Sequence, residues 1–161
     1  MKWPITGPWT FLTVTNAYVP MDCVAEGKVL ALDYGTKNIG LAWCDELRVT
    51  VQPLPSFARR GRQDLSLRLR SLVEENDIRE VVVGIPLNMD GSTGDAVRRV
   101  ERFMDWLREQ LRLPLHGIDE RLSTVEASEV WRGMSARQQQ KYRTVDSLAA
   151  AFILKRYLEE E

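Results

Sequence analysis

The sequence predicts an α/β domain, with one five-stranded mixed sheet whose first three strands are antiparallel and whose later strands are parallel, and with helices on both faces. Three observations carry this expectation. From Lys28, three short apolar runs follow one another with connections too short to cross a sheet, as antiparallel neighbours require. Beyond them, stretches of helical period alternate with further apolar runs, the pattern of crossover units that lay down parallel strands. A chain of 161 residues with 44% hydrophobic content also suits one sizeable core better than two.

The first three runs are KVLALD, IGLAWC and RVTVQPL, over 28–33, 39–44 and 48–54. Next, RQDLSLRLRSLVEENDI places Leu65, Leu69, Leu72 and Val73 on one helical face. REVVVGIP then forms a β-branched run suited to a strand covered on both sides. The segment STGDAVRRVERFMDWLREQL opens on capping residues and sets Ala96, Val100, Phe103, Met104, Leu107 and Leu111 along a stripe. LPLHGID supplies a fifth strand with His116 as a structural residue, STVEASEVWRG a short helix ending near Gly133, and RTVDSLAAAFILKRYLEEE a final helix apolar on most of its circumference.

Composition narrows the function classes. A net charge of -1 and a pI near 6.0 argue against binding nucleic acid through overall charge and leave room only for a local basic face. Cys23 and Cys44 are too few for a disulfide framework, and no Cys/His cluster offers a zinc site, so a reducing cytoplasm is the expected location. Proline, threonine and asparagine interrupt the first twenty residues before any membrane span accumulates. Residues 1–26 therefore read as a poorly ordered, dispensable extension and 27–161 as the functional domain.

The acids carry the chemistry. With right-handed crossovers, Asp33 at the end of the first strand and Asp119-Glu120 at the end of the fifth emerge at the same carboxyl edge, where open α/β sheets bind ligands. Asp146 lies one turn before Ala149 and Ala150, on a helix face otherwise suited to burial. Each has a plainer reading: Asp33 as a turn residue, Glu120 as a partner of Arg121 or a helix cap, Asp146 as an acid favoured by the helix dipole. Three carboxylates gathered at one place, however, repel each other unless a cation neutralises them. An all-oxygen set suits Mg²⁺ or Mn²⁺, and two such ions about 4 Å apart suit phosphodiester hydrolysis.

Four stretches in this order, ALDYGTKNIGLA, VVVGIPLNMDGSTG, DERLST and VDSLAAAFIL, resemble the YqgF/RuvX family from about Lys28 to Leu158. The resemblance implies a ribonuclease H-like fold and a nuclease acting either on precursor 16S rRNA or on Holliday junctions. It implies that Asp33, Glu120 and Asp146 are the catalytic, metal-binding acids, with Asp119 as a substitute for Glu120. Asn38 departs from the arginine expected in the family's GTKRIG, which leaves a phosphate contact there to Lys37.

Nucleic-acid contacts are expected from Lys37, from Arg59, Arg60 and Arg62 in an arginine cluster that continues to Arg68 and Arg70, and from Arg121. The backbone of the NMDGSTG loop is a weaker candidate for holding a phosphate. No self-complementary apolar seam is visible, so a monomer acting on precursor rRNA is favoured over a dimer acting on four-way DNA. A phosphotransferase that closes two such domains on a nucleotide needs a longer chain. A non-catalytic nucleic-acid-binding factor is the remaining alternative.

Overall fold

The computed structural model describes residues 27–160 apart from 89, 91–93, 122 and 143. The proposed extension over 1–26 and most of the NMDGSTG loop thus lie outside the described residues. Among those that are described, no helix is long and apolar enough to cross a membrane.

The chain runs β1 (Lys28–Tyr34), β2 (Asn38–Cys44), β3 (Val51–Ala58), α1 (Arg62–Glu75), β4 (Ile78–Ile85), α2 (Asp95–Leu111), β5 (Leu115–Asp119), α3 (Ser123–Gly133), α4 (Ala136–Tyr142) and α5 (Val145–Glu160). The sheet has five strands in the order β3-β2-β1-β4-β5. β1 pairs antiparallel with β2 and β2 with β3, whereas β4 runs parallel to both β1 and β5. The expected mixed topology is therefore the observed one.

Side-chain alternation along the strands divides the core between the two faces. Leu30, Leu32, Val81 and Val83 point toward α1 and α2, where Leu69, Val100, Phe103 and Leu107 meet them. Val29, Ala31, Val82 and Ile118 point the other way, onto Ala150, Ile153 and Leu154 of α5. Each large aliphatic side chain buried this way contributes about 1.5–3 kcal/mol relative to exposure. β4 is covered on both sides, which is why its VVVGI run does not alternate.

Three elements differ from the expectation. β3 begins at Val51 and continues to Ala58, instead of spanning 48–54. Arg48 adopts a positive φ of 57° in the preceding turn, and its Nη2 donates to Glu80 at 2.9 Å. In α2 the buried stripe starts with Val97, while Ala96 faces a cleft. α4 has no apolar stripe to announce it, only the polar run ARQQQKY. A reciprocal cap marks its start: the Ser135 amide donates to Gln138 Oε1 at 2.8 Å, and the Gln138 amide reaches Ser135 Oγ at 3.4 Å.

His116 is structural, as expected. Its Nε2 lies 2.8 Å from Glu80 Oε1, and Tyr157 also donates to that carboxylate. Burial alone would raise the Glu80 pKa. The hydrogen bonds from His116 and Tyr157, with the charges of His116 and Arg48, outweigh it and hold the group at about 2.

Candidate metal centre

Asp33 sits in β1 directly opposite Gly40 of β2, and the parallel register with β4 runs through Leu32 and Val83, one residue short of Asp33 and Gly84. Asp33 is therefore flanked by a glycine on each neighbouring strand. Both glycines belong to the face that packs on α5, as does Asp33 by its alternation with Val29 and Ala31. Each makes room for another acid.

At Gly40, a Cβ would lie 2.0 Å from the backbone oxygen of Asp146, so only glycine lets the first turn of α5 lie this close to the sheet. That turn is fixed locally as well. The Ser147 amide donates to Thr144 Oγ1 at 3.1 Å, an N-cap, and the buried Ser147 hydroxyl donates to the Leu54 carbonyl of β3. Asp146 is thereby held over the end of β1, and Asn38 Nδ2 reaches its Oδ2 at 3.5 Å.

At Gly84, a Cβ would lie 2.1 Å from Glu120 Oε2. The Glu120 side chain thus lies across β4, reaching back from the end of β5 toward β1. Its amide donates to the Ile85 carbonyl at 3.1 Å, which fixes the backbone as it leaves the sheet. Its Oε2 is buried and, among the described residues, has no hydrogen-bond partner. A buried carboxylate oxygen without a donor is costly unless the group is protonated or faces a cation.

The electrostatics agree. Burial pushes the Glu120 carboxyl up to about 8, and the charges of Asp33 and Asp119 add to the rise. Asp33 is raised to about 6, first by burial and then by Asp146. Asp119 behaves in the opposite way. Its burial is outweighed by Arg121, whose amide, Nε and Nη2 reach the carboxylate at 2.9, 2.7 and 2.7 Å, and its pKa is lowered. With Arg121 already bound to it, Asp119 is poorly suited to replace Glu120 as a ligand, and Arg121 is poorly placed to meet a phosphate.

Asp33, Glu120 and Asp146 line one cleft of about 430 Å³ together with Lys37, Asn38, Arg59 and Arg99. Among the described residues, no three Asp, Glu, His or Cys side chains lie close enough together to hold a metal ion as they stand. Like charges on one cleft wall hold apart until a cation lies between them. An all-oxygen donor set with one buried, orphaned atom fits a hard divalent ion.

The expected basic contacts separate into two groups. Arg59 is occupied by its own loop: Nη1 donates to the carbonyls of Gly35 and Thr36 at 3.0 and 3.1 Å, Nη2 to the Tyr34 hydroxyl, and the guanidinium stacks 4.2 Å over the Tyr34 ring. It holds the turn that carries Lys37. Arg62 lies 5.9 Å over Trp106, Arg68 pairs with Asp64 at 3.1 Å, and Arg70 donates to Gln110 at 2.9 Å. Lys37 and Arg60 are exposed, and no ion pair or side-chain hydrogen bond engages either among the described residues.

Sequence reasoning missed Arg99, an exposed cation that lines the cleft from the second turn of α2. A usable signal existed. α2 follows β4, whose carboxyl end lies at the site, so the first turns of α2 had to overhang it.

The family described as "RuvX: Holliday junction resolvase" matches residues 27–160. A "Putative pre-16S rRNA nuclease" of Koribacter versatilis (strain Ellin345) is 40% identical over 133 residues, covering 83% of this chain and 87% of that protein. A relative with the same description from Lachnospira eligens is 37% identical over 137 residues, covering 83% of this chain and 98% of its own length. Among solved structures, "T. thermophilus RuvC in complex with Holliday junction substrate" superposes with a TM-score of 0.53 at 12% identity, over 83% of this chain and 94% of that one. This last likeness is one of fold.

Proposed function

This chain belongs to the RuvX family, and on that premise we propose that it is a divalent-metal-dependent nuclease that hydrolyses phosphodiester bonds in precursor 16S rRNA. The observation that carries the reading is the buried, partnerless Oε2 of Glu120 in a cleft shared with Asp33 and Asp146. These three acids would hold Mg²⁺ or Mn²⁺. Two such ions, when bound, supply an activated water and neutralise charge on the leaving oxygen.

The chain's own residues do the rest. Asp33 sits on a rigid strand, Glu120 at the exit of another and Asp146 on a capped helix turn, so the three carboxylates are presented from elements that move little. Lys37 and Arg99 line the same cleft as the acids and would orient the phosphate against them. Arg59 positions Lys37 by fixing the β1–β2 turn.

Precursor rRNA is favoured over a four-way junction by the distribution of exposed apolar residues. Paired cuts in a junction require two sites related by a two-fold axis, hence a self-complementary interface. Among the described residues, the exposed large hydrophobics are Leu47 and Val49 between β2 and β3, Leu67 on α1, and Val125 and Val130 on α3. Scattered over three elements, they fit a monomer in the cytoplasm better than a dimer. Incubation with labelled precursor rRNA, duplex DNA and a four-way junction is expected to give RNA cleavage in Mg²⁺ or Mn²⁺ and none in EDTA. Paired symmetric nicks in the junction with intact RNA would put the resolvase reading first, and full activity in EDTA would remove the metal.

A further inference from the structure

On the α2 side of the cleft, cations and aromatic rings form a continuous strip. Arg99 lines the cleft, and Arg102 and Trp106 follow it at spacings of three and seven residues, on the same face of the helix. Arg99 and Arg102 are both exposed, and neither has an ion pair or side-chain hydrogen bond among the described residues. Two acids of α2 are engaged by neighbours, Asp95 by Arg98 at 3.0 Å and Asp105 by Arg108 at 2.9 Å, whereas Glu101 has no ion pair among the described residues and, two positions from Arg99, lies on a different side of the helix. Glu109, one turn past Trp106, ends the strip with a charge that repels phosphate.

Trp106 is half-buried, and its position is fixed from behind. Tyr34, which lines the cleft, stacks on Phe103 with ring centroids 4.0 Å apart, and Phe103 stacks on Trp106 at 5.7 Å. The indole is thus the outer member of an aromatic row that begins at the carboxylates. Arg62 of α1 lies 5.9 Å from the indole centroid, the outer limit of a cation–π contact, so it covers the ring without packing tightly on it.

We infer that a single-stranded segment of nucleic acid leaves the carboxylate cleft along this strip, its phosphates against Arg99 and Arg102 and one base stacked on Trp106 beside Arg62. The inference rests on the nuclease reading for the direction of the strand, and it adds the form of the substrate next to the cut. In a duplex both faces of each base are hidden in the stack, and only an unpaired base can offer one to an indole. The cations supply the complementary charge, in a chain whose net charge of -1 gives no general attraction.

Binding of a short labelled single-stranded RNA and of the corresponding blunt duplex, measured by anisotropy in EDTA, tests this without any hydrolysis. Trp106→Leu, which keeps an apolar plug over Phe103 but removes the stacking face, is expected to weaken single-strand binding roughly tenfold or more, with little change for the duplex. Trp106→Phe should recover most of the loss. Arg102→Gln should reduce the salt slope for the single strand by about 0.7.

Wild-type single-strand affinity in Trp106→Leu, or an equal loss for the duplex, would overturn the inference. Should Trp106→Leu fail to fold, Arg102→Gln decides it, since an unchanged salt slope for the single strand would overturn the inference. A wild type that binds in this manner yet cuts nothing would keep the strip and reject the nuclease. A nuclease indifferent to Trp106→Leu would do the reverse.

Discussion

Asp33→Asn is expected to fold like the wild type and to lose cleavage by at least about 100-fold. The stability side follows from the surroundings of Asp33, which is 8% exposed, faces Asp146 across the cleft and has its pKa raised first by burial and then by that neighbour. Asparagine keeps the shape and removes a repelling charge, so the melting midpoint without metal should stay level or rise slightly. The activity side follows from the loss of a carboxylate held on a rigid strand. Cleavage rates and thermal melts on the same preparation separate the two. A well-folded Asp33→Asn protein with wild-type cleavage would exclude Asp33 from the reaction.

Gly40→Ala is expected to be costly in both respects. The added methyl would sit 2.0 Å from the Asp146 oxygen and 2.4 Å from its carbonyl carbon, both backbone atoms, so no side-chain rotation relieves the clash. The N-terminal turn of α5 must lift from the sheet, at about 3 kcal/mol. Asp146 moves with it, and a displacement near 1 Å at a reacting site costs about 100-fold in rate. Gly84→Ala offers the contrast. Its methyl would meet Glu120 Oε2 at 2.1 Å and Ile153 Cδ1 at 2.6 Å, the far ends of flexible side chains that can swing away. Denaturant midpoints of the two variants should rank Gly40→Ala well below Gly84→Ala, and the opposite order would mean that α5 is not seated on β2 as described.

The positions of the three acids were legible because topology alone decides them. Antiparallel hairpins followed by crossovers bring the ends of β1 and β5 to one edge, and the burial pattern of the last helix turns Asp146 toward the sheet. The two glycines beside Asp33 were not legible. A glycine within a strand reads as a weak point or a bulge, and the close approaches it permits, to an α5 backbone 106 residues further on at Gly40 and to Glu120 at Gly84, exist only in three dimensions.

Arg59 was misjudged for a related reason. With β3 ending at 54 it would hang free, whereas β3 continues to Ala58 and delivers Arg59 against the β1–β2 turn. Arg121 was weighed as a partner for Glu120, but in the turn after β5 it folds back onto Asp119, and among the described residues Glu120 has no ion pair.

If the cleft concentrates negative charge which a divalent cation relieves, the melting midpoint must depend on pH differently with and without Mn²⁺. Asp33 and Glu120 have folded-state pKa values raised to about 6 and about 8, so between about pH 4.5 and 8 the metal-free folded state holds protons that the unfolded chain has released. Stability must then fall as pH rises through that window. The depressed Glu80 and Asp119 titrate below it and do not oppose the trend. Mn²⁺ binds the deprotonated acids of the folded state only, and its stabilisation should grow over the same interval. The expected result is a midpoint that declines from pH 5 to 8 without metal and recovers with Mn²⁺, the recovery being lost in Asp33→Asn. A midpoint indifferent to Mn²⁺ at pH 8 would contradict it.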